Sequence, residues 1–314
     1  MIFENMLITG CGGDIAQTLA GIARECGAAR RLIGCDIHND HPGGALFDAF
    51  EPVPRADDPS YLEHLKSIVA ANDIDVIVPM SEAEITTLLN ADALGELGGV
   101  PVITANRDAV VIGLDKLATI HMLNRNGLPA PWTTIVGSGP PQSLPCILKP
   151  RRGQGSKGLR RVETTDEVAQ LTTEMPGALW QELLLPDDQE YTCGLYRSGS
   201  GNIRTLALKR KLEDGQTTSG EVVASTAIDI LLERIAMALD LSGSINVQLR
   251  LTAEGPKVFE INPRFSSTVG VRHRLGFRDF IWSLFERRRL AIEAYSPPSP
   301  GTRFYRDANE ITID

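Results

Sequence analysis

The stretch Val258-Phe-Glu-Ile-Asn-Pro-Arg-Phe-Ser-Ser267, read together with Asn246-Val-Gln-Leu-Arg250 before it, decides the fold. In a strand, side chains two apart share a face, so Asn246 with Gln248, and Glu260 with Asn262, project the same way. Thr252-Ala-Glu-Gly255 links the two runs, and if they pair as a hairpin, Gln248, Glu260 and Asn262 converge as oxygen donors. Hard oxygens with one carboxylate suit Mg²⁺ shared with substrate phosphates, not Zn²⁺. Pro263 ends the strand and leaves Arg264 where it could stabilise a transferring phosphoryl group. An ordinary hairpin with solvated polar residues explains poorly why one face alternates Asn, Gln, Glu and Asn among apolar neighbours.

Upstream, Cys146-Ile-Leu-Lys149 reads as a strand running into Pro150-Arg-Arg-Gly-Gln-Gly-Ser-Lys-Gly158. Glycines at 153, 155 and 158 let the backbone approach an anion closely, and a strand-borne lysine before them supplies a fixed positive charge. The order of a Walker A loop is absent, and a strand, 159–162, is expected to follow instead of a helix. A helix over 165–174 and a strand over 178–184 complete a small α/β module around this glycine-rich hairpin. Beyond it, 190–196 and 203–211 read as antiparallel strands and 227–239 as an amphipathic helix. The helical pattern 108–126 precedes the module and is stopped by Gly127-Leu-Pro-Ala-Pro131.

The amino-terminal third is different in kind. Met6-Leu-Ile-Thr-Gly-Cys-Gly-Gly-Asp14 is an apolar run breaking into glycines, followed by a helical pattern over 15–26. Leu32-Ile-Gly-Cys-Asp36, Asp75-Val-Ile-Val-Pro79 and Val100-Pro-Val-Ile-Thr104 supply further strands, with a helix over 60–71 between. Such alternation implies a parallel sheet with right-handed crossovers. Gly10, Gly12 and Gly13 with Asp36 invite a dinucleotide-binding reading, but Ile15 stands where the third glycine belongs. A tight strand-to-helix turn in a Rossmann-like domain without a dinucleotide accounts for the same residues.

A length of 314 residues allows two domains or three small ones, and the composition, 42% hydrophobic and 23% charged, is that of a globular protein. Its net charge of −9 argues against nucleic-acid binding. No apolar run is long enough for a membrane span, and Met1 to Met6 carry no basic cluster, so a cytoplasmic protein is expected. The five cysteines form no CxxC pair and no histidines have HExxH spacing, which argues against a disulfide framework, a zinc knuckle and hydrolytic zinc chemistry.

These residues together resemble the ATP-grasp superfamily of ligases, nearest in pattern to the carbamoyl phosphate synthetase large-subunit branch. The resemblance covers residues 1 to about 290, and its most specific piece is Phe259-Glu-Ile-Asn-Pro-Arg264 with Gln248 upstream. It implies a Rossmann-like pre-ATP-grasp domain (1–106), a small lid (107–184) and a large subdomain (185–295), followed by a tail (296–314) extended over the surface. The fold class is thus α/β, with α+β character in the ATP-grasp part. By the same resemblance Gln248, Glu260 and Asn262 ligate two Mg²⁺ ions, with Mn²⁺ as a substitute, and Arg264 contacts the γ-phosphate and the developing acyl phosphate. Lys116 and Lys149 are the two basic nucleotide contacts, and Gly153, Gly155, Ser156 and Gly158 belong to a loop covering the triphosphate. Gln181-Glu-Leu-Leu184 is the hinge whose backbone reads the adenine edge, through Glu182, Leu183 and Leu184, and Glu190 holds the ribose hydroxyls. Two departures stand out. Pro186-Asp-Asp188 replaces a glycine turn, and Lys209-Arg-Lys211 with Thr217-Thr-Ser-Gly220 occupies the phosphate- or acceptor-binding place without a tight motif. Lys209 is taken as catalytic with Arg264 and Lys149, and Arg210, Arg272, His273 and Arg274 remain candidates for holding substrate.

The function implied is ATP-dependent joining of a small carboxylic acid to an amine through an acyl phosphate, with release of ADP and phosphate. No protein nucleophile is required. The expected partners are small molecules, without nucleic acid or membrane, and a homodimer is compatible. Two rival readings are a nicotinamide-dependent oxidoreductase using the amino-terminal glycine turn, and a non-catalytic nucleotide-binding protein of the same fold. The first leaves the Lys149 loop and the Glu260 strand unexplained.

Overall fold

A computed structural model of the chain describes residues 1–41, 43, 46–153, 158–213 and 216–306. The amino-terminal part contains β1 (Phe3–Thr9), α1 (Asp14–Glu25), β2 (Ala29–Asp36), β3 (Ala49–Pro52), α2 (Tyr61–Ala71), β4 (Val76–Val78) and α3 (Glu82–Asn90). Its strands form a parallel sheet in the order β3-β2-β1-β4. Met6, Leu7 and Ile8 are fully buried, as a central parallel strand covered on both faces requires. The short strands β5 (Glu96–Leu97) and β6 (Val100–Pro101) pair only with each other, and Val102 alone bridges to Ile77 of β4. The extra strand expected over 100–104 is therefore reduced to one bridge, since Pro101 has no N–H to donate to a ladder.

The helical pattern expected over 108–126 is two helices, α4 (Arg107–Gly113) and α5 (Lys116–Arg125). Asp115 causes the break: its carboxylate caps α5 by accepting from the N–H groups of Leu117 and Ala118. Both helices contribute to the core shared with the large sheet (Ala109, Val110, Ile120, Leu123), whereas the lid has its own core of Val136, Cys146, Leu148, Val162, Leu171 and Trp180. That lid comprises β7 (Thr133–Ile135), β8 (Cys146–Lys149), β9 (Arg160–Val162), α6 (Thr165–Glu174) and β10 (Leu179–Glu182), with sheet order β7-β10-β8-β9.

The large part contains β11 (Glu190–Arg197), β12 (Ile203–Glu213), β13 (Gln216–Val223), α7 (Thr226–Ala238), β14 (Gly243–Thr252), β15 (Gly255–Asn262), α8 (Val269–Arg274), α9 (Asp279–Arg287) and β16 (Arg303–Tyr305). Its antiparallel sheet runs β15-β14-β11-β12-β13-β16. Residues 303–305, expected in a surface tail, instead form an edge strand on β13, with Phe304 buried. One face carries Tyr191, Cys193, Val247, Leu249 and Ile261 into the core with Leu231, Leu232 and Ile235 of α7. On the other face Tyr196, Leu206 and Leu208 pack with Phe277 and Trp282 in a second core, and the polar residues of β14 and β15 lie beside it. No helix among the described residues is long and apolar enough to cross a membrane.

Where α4 ends, it meets the decisive motif directly: a Cβ added at Gly113 would lie 2.8 Å from Cδ and 3.0 Å from Cγ of Pro263. The proline ring cannot rotate away. Helix propensity alone predicts that Gly113→Ala stabilises the chain by up to about 1 kcal/mol. Because overpacking against a rigid ring costs about 1–3 kcal/mol, a net loss is expected instead, with a lower melting temperature. Thermal unfolding of the variant checks the sign.

Candidate active site

The register of β14 on β15 sets Asn246 opposite Asn262 and Gln248 opposite Glu260, with a bulge between Gln248 and Leu249. All four lie on the sheet face away from α7. Asn246 and Asn262 are 1% and 4% exposed, and Asn246 is fixed by a 2.9 Å hydrogen bond from the Thr192 hydroxyl. Gln248 accepts from Arg210 at 2.9 Å. Arg210 also donates to one oxygen of Glu190, while Arg250 donates to the other. The carboxylate expected to hold ribose hydroxyls is thus clamped between two guanidinium groups, with Arg250 reaching on to the Leu184 carbonyl at 2.7 Å.

Lys149, at the end of β8, is 5% exposed and donates to the Phe259 carbonyl at 3.1 Å, tying the lid to β15. Burial lowers its ammonium from the ordinary 10.5 to about 8, with Glu260 opposing the shift and Lys116 adding to it. Lys116 opens α5 and donates to the Gly153 carbonyl at 2.6 Å, at the near end of the glycine-rich loop. Arg151 grips Asp115 through two nitrogens, the closest at 2.6 Å, so the residue that caps α5 also anchors that loop. Asp115 is held below the usual carboxylate range despite burial, because Arg151 and the helix N–H groups favour its charged form. Gly153 and Gly158 have φ of +104° and +77°, a left-handed backbone that glycine adopts without strain. Gly155 and Ser156 lie outside the described residues.

Of the two adjacent basic residues on β12, Arg210 is the one that meets Glu190 and Gln248. Lys209, expected to be catalytic, pairs with Tyr191 on the α7 side of the sheet and lies 3.6 Å from Asp188. Strand alternation puts it on the opposite face from Gln248. Glu182 accepts from the Trp132 N–H at 3.2 Å and from Lys257 at 2.8 Å, Leu183 is half-buried just past β10, and Leu184 is buried. Arg272 is completely buried, 3.5 Å from Asp279, and His273 packs 3.7 Å from Cys26. Arg274 is exposed. None of these three is shown at the Glu260 face by a direct contact.

Sequence reasoning missed Glu82. It begins α3 and comes from the amino-terminal domain, yet it lies 3.9 Å from Arg264, and both side chains are nearly covered. Burial raises its carboxyl above the usual range, Arg264 and Lys116 pull it back, and Glu260 pushes it up. The available signal was the capping box Ser81-Glu-Ala-Glu84, in which Glu84 turns inward to Thr9 and Tyr61 and so leaves Glu82 to face outward. Glu82 feels the charges of Arg264, Lys116 and Glu260, and Lys149 those of Glu260 and Lys116, which links groups from three parts of the chain. A separate cavity of about 460 Å³, reached by Arg107, Glu286 and Arg287, is distinct from this group, and its charges are already matched to Asp92, the Gly199 N–H and the Val102 carbonyl.

As for a cation, Glu260 and Asn262 fit as hard-oxygen donors, and Gln248 joins them if Arg210 releases its oxygen. Asp36, which a dinucleotide ribose would need, accepts from the N–H groups of Gly12 and His38 instead.

Two known families match the chain. Residues 114–268 match the family described as ATP-grasp domain, and residues 6–103 match the PylC-like N-terminal domain. A carbamoyl-phosphate synthase of Methanobrevibacter smithii is 29% identical over 140 residues, covering 42% of this chain and 37% of that protein. A D-alanine–D-alanine ligase of Rhodococcus erythropolis is 25% identical over 232 residues, 62% of each chain. In both cases less than two thirds of the relative is spanned. Among solved structures, N5-carboxyaminoimidazole synthetase from Staphylococcus aureus complexed with ADP superposes with a TM-score of 0.75 at 16% identity, over 95% of this chain and 80% of that one. This likeness shows the fold.

The buried Lys149 yields a prediction about stability. Its folded pKa lies below its unfolded value, so the stability it contributes is fully present above 10.5 and is lost as pH falls through about 8. At pH 7 the nucleotide-free chain holds a buried charge at a cost of about 3 kcal/mol. Lys149→Met is expected to stabilise that form at pH 7 by roughly 1–3 kcal/mol, a gain that shrinks as pH rises from 8 towards 10. Urea unfolding of both proteins across this range measures it.

Proposed function

We propose, from the premise that this chain belongs to the ATP-grasp superfamily with a PylC-like domain in front, that it is an ATP-dependent carboxylate–amine ligase releasing ADP and phosphate. The observation that carries the reading is the convergence of Lys149, Lys116 and Arg264 on the Glu260–Asn262 strand end. An unactivated carboxylate is a poor acyl donor, whereas an acyl phosphate has a competent leaving group. Bringing a carboxylate to a triphosphate concentrates negative charge, and three fixed cations offset it without reorganising. Glu260 and Asn262, with Gln248, would hold Mg²⁺, which when bound neutralises phosphate charge and aligns the γ-phosphoryl group.

In this reading Lys149 and Lys116 hold the phosphates and Arg264 steadies the transferred phosphoryl group. The loop 153–158 covers the nucleotide, with 182–184 along the base. Arg210 and Arg250 keep Glu190 in place rather than reacting themselves. Glu82 is the carboxylate available to the amine, whose ammonium would pair with it. The D-alanine–D-alanine ligase relative joins an amine to a carboxylate by name, and this chain's own carboxylate and amine are to be found by measuring ADP release across panels of amino acids and small acids.

Chromatography of the spent nucleotide should show ADP and phosphate, and stoichiometric AMP would sink the acyl-phosphate mechanism. Glu260→Gln keeps shape but removes a full charge opposite the metal, so kcat is expected to fall on the order of 10²-fold or more, about 3 kcal/mol of transition-state stabilisation. Glu82→Gln should raise KM for the amine by about tenfold while KM for ATP moves less than about twofold, the pattern of a lost ground-state contact. Steady-state kinetics with each substrate varied in turn separate the two roles.

A further inference from the structure

A second cluster of chemistry-bearing side chains lies at the carboxyl end of the amino-terminal sheet. Cys11 follows β1, Asp36 ends β2, and His41 stands on the segment after β2. One ligand atom from each, a thiol sulfur, a carboxylate oxygen and an imidazole nitrogen, lies within 4.8 Å of the other two. The Cys11 sulfur and His41 Nε2 are 3.8 Å apart. In a tetrahedral zinc site with Zn–S of about 2.3 Å and Zn–N of about 2.0 Å, that edge is about 3.6 Å. A rotation of a few tenths of an ångström reaches it.

We propose that Cys11, Asp36 and His41 bind a divalent ion of the zinc class, with water in the fourth position. The donor set argues for this class. Sulfur and imidazole nitrogen select a borderline-soft ion, whereas Mg²⁺ and Ca²⁺ take oxygen. The carboxylate is aimed by backbone, since Gly12 N–H donates to Oδ2 at 2.9 Å and His38 N–H to Oδ1 at 3.2 Å. Such outer hydrogen bonds orient metal ligands.

The surrounding backbone is shaped to admit this cluster. A Cβ at Gly34 would lie 2.9 Å from both the Cys11 sulfur and Phe47, one at Gly12 would lie 3.1 Å from both Asp36 Oδ2 and His41 Cγ, and one at Gly43 would strike the Cys11 carbonyl and lie 2.9 Å from His41 Nδ1. Three segments thus carry glycine where they press on the three ligands. Cys11 is fully buried, and among the described residues its sulfur makes a long side-chain contact of 3.8 Å to His41 Nε2. Carboxyl ends of parallel strands are also where open α/β sheets bind ligands.

Titration of the metal-stripped full chain with Co²⁺ tests this. The Glu260→Gln variant serves as the background, so that the oxygen donors near Glu260 do not compete. One equivalent should produce a thiolate-to-cobalt charge-transfer band in the near ultraviolet with visible bands of tetrahedral intensity, and Zn²⁺ should displace it. Cys11→Ser should abolish the charge-transfer band, and His41→Ala and Asp36→Asn should weaken binding by about tenfold or more. Absence of the band in the unmodified ligand set, or its survival in Cys11→Ser, overturns the proposal. If Cys11→Ser fails to fold by circular dichroism, the other two variants decide, and unchanged Co²⁺ affinity in both overturns it equally. The readout does not depend on ligase activity.

Discussion

The pairing register of β14 with β15 is the constraint on which the rest depends. It puts Asn246, Gln248, Glu260 and Asn262 on one face and Val247 and Ile261 on the other, beneath α7. A slip of β15 by one residue would turn Glu260 and Asn262 into the aliphatic core and Ile261 out of it. The alternation is therefore enforced by burial on the α7 side. The polar face then needs partners, and they come from every neighbouring strand: Thr192 to Asn246, Arg210 to Gln248, and Lys149 to the Phe259 carbonyl.

Much of this was legible because strand alternation is local. Two short runs and the turn between them suffice to predict which side chains share a face, and Pro263 marks where the strand must stop. Lys209 shows the limit of the same reasoning. A run of Lys-Arg-Lys alternates faces whichever residue is chosen first, and only the pairing of Tyr191 with Lys209 across β11 and β12 decides that Arg210 points towards Gln248. Glu190 is similar: its position on the strand was readable, but its clamping depends on Arg250, sixty residues later. The break at Asp115 was missed because the apolar spacing of α4 and α5 continues across it, and a single capping carboxylate overrides that periodicity.

Contacts between distant segments are the other source of surprise. Glu82, and the group formed by Cys11, Asp36 and His41, belong to no spacing motif: Glu82 meets Arg264 from the far part of the chain, and Cys11 meets Asp36 and His41 across a whole helix and strand. Parallel sheets conceal such groups by construction. Successive strand ends are separated by a whole helix, so residues that meet at one crest are about twenty-five apart in sequence. Glu84 shows how such a crest is made rigid: it closes the cap of α3 and accepts from the Thr9 and Tyr61 hydroxyls, each at 2.9 Å, which holds the helix start that presents Glu82.

The described cations around the Glu260 strand divide by what they hold on to, carboxylates or carbonyls. Arg151 is committed to Asp115, and Arg210 and Arg250 to Glu190, through charge-assisted bonds that neutralise them within the fold. Lys116 and Lys149 rest on the neutral carbonyls of Gly153 and Phe259. A carbonyl satisfies the ammonium geometry without cancelling its charge, so an arriving phosphate need not displace a counter-ion. The strain of that arrangement appears in the lowered pKa of Lys149, whose buried charge is left partly uncompensated. An anion entering between Lys116, Lys149 and Arg264 would relieve it, which makes the free energy withheld from folding available for binding.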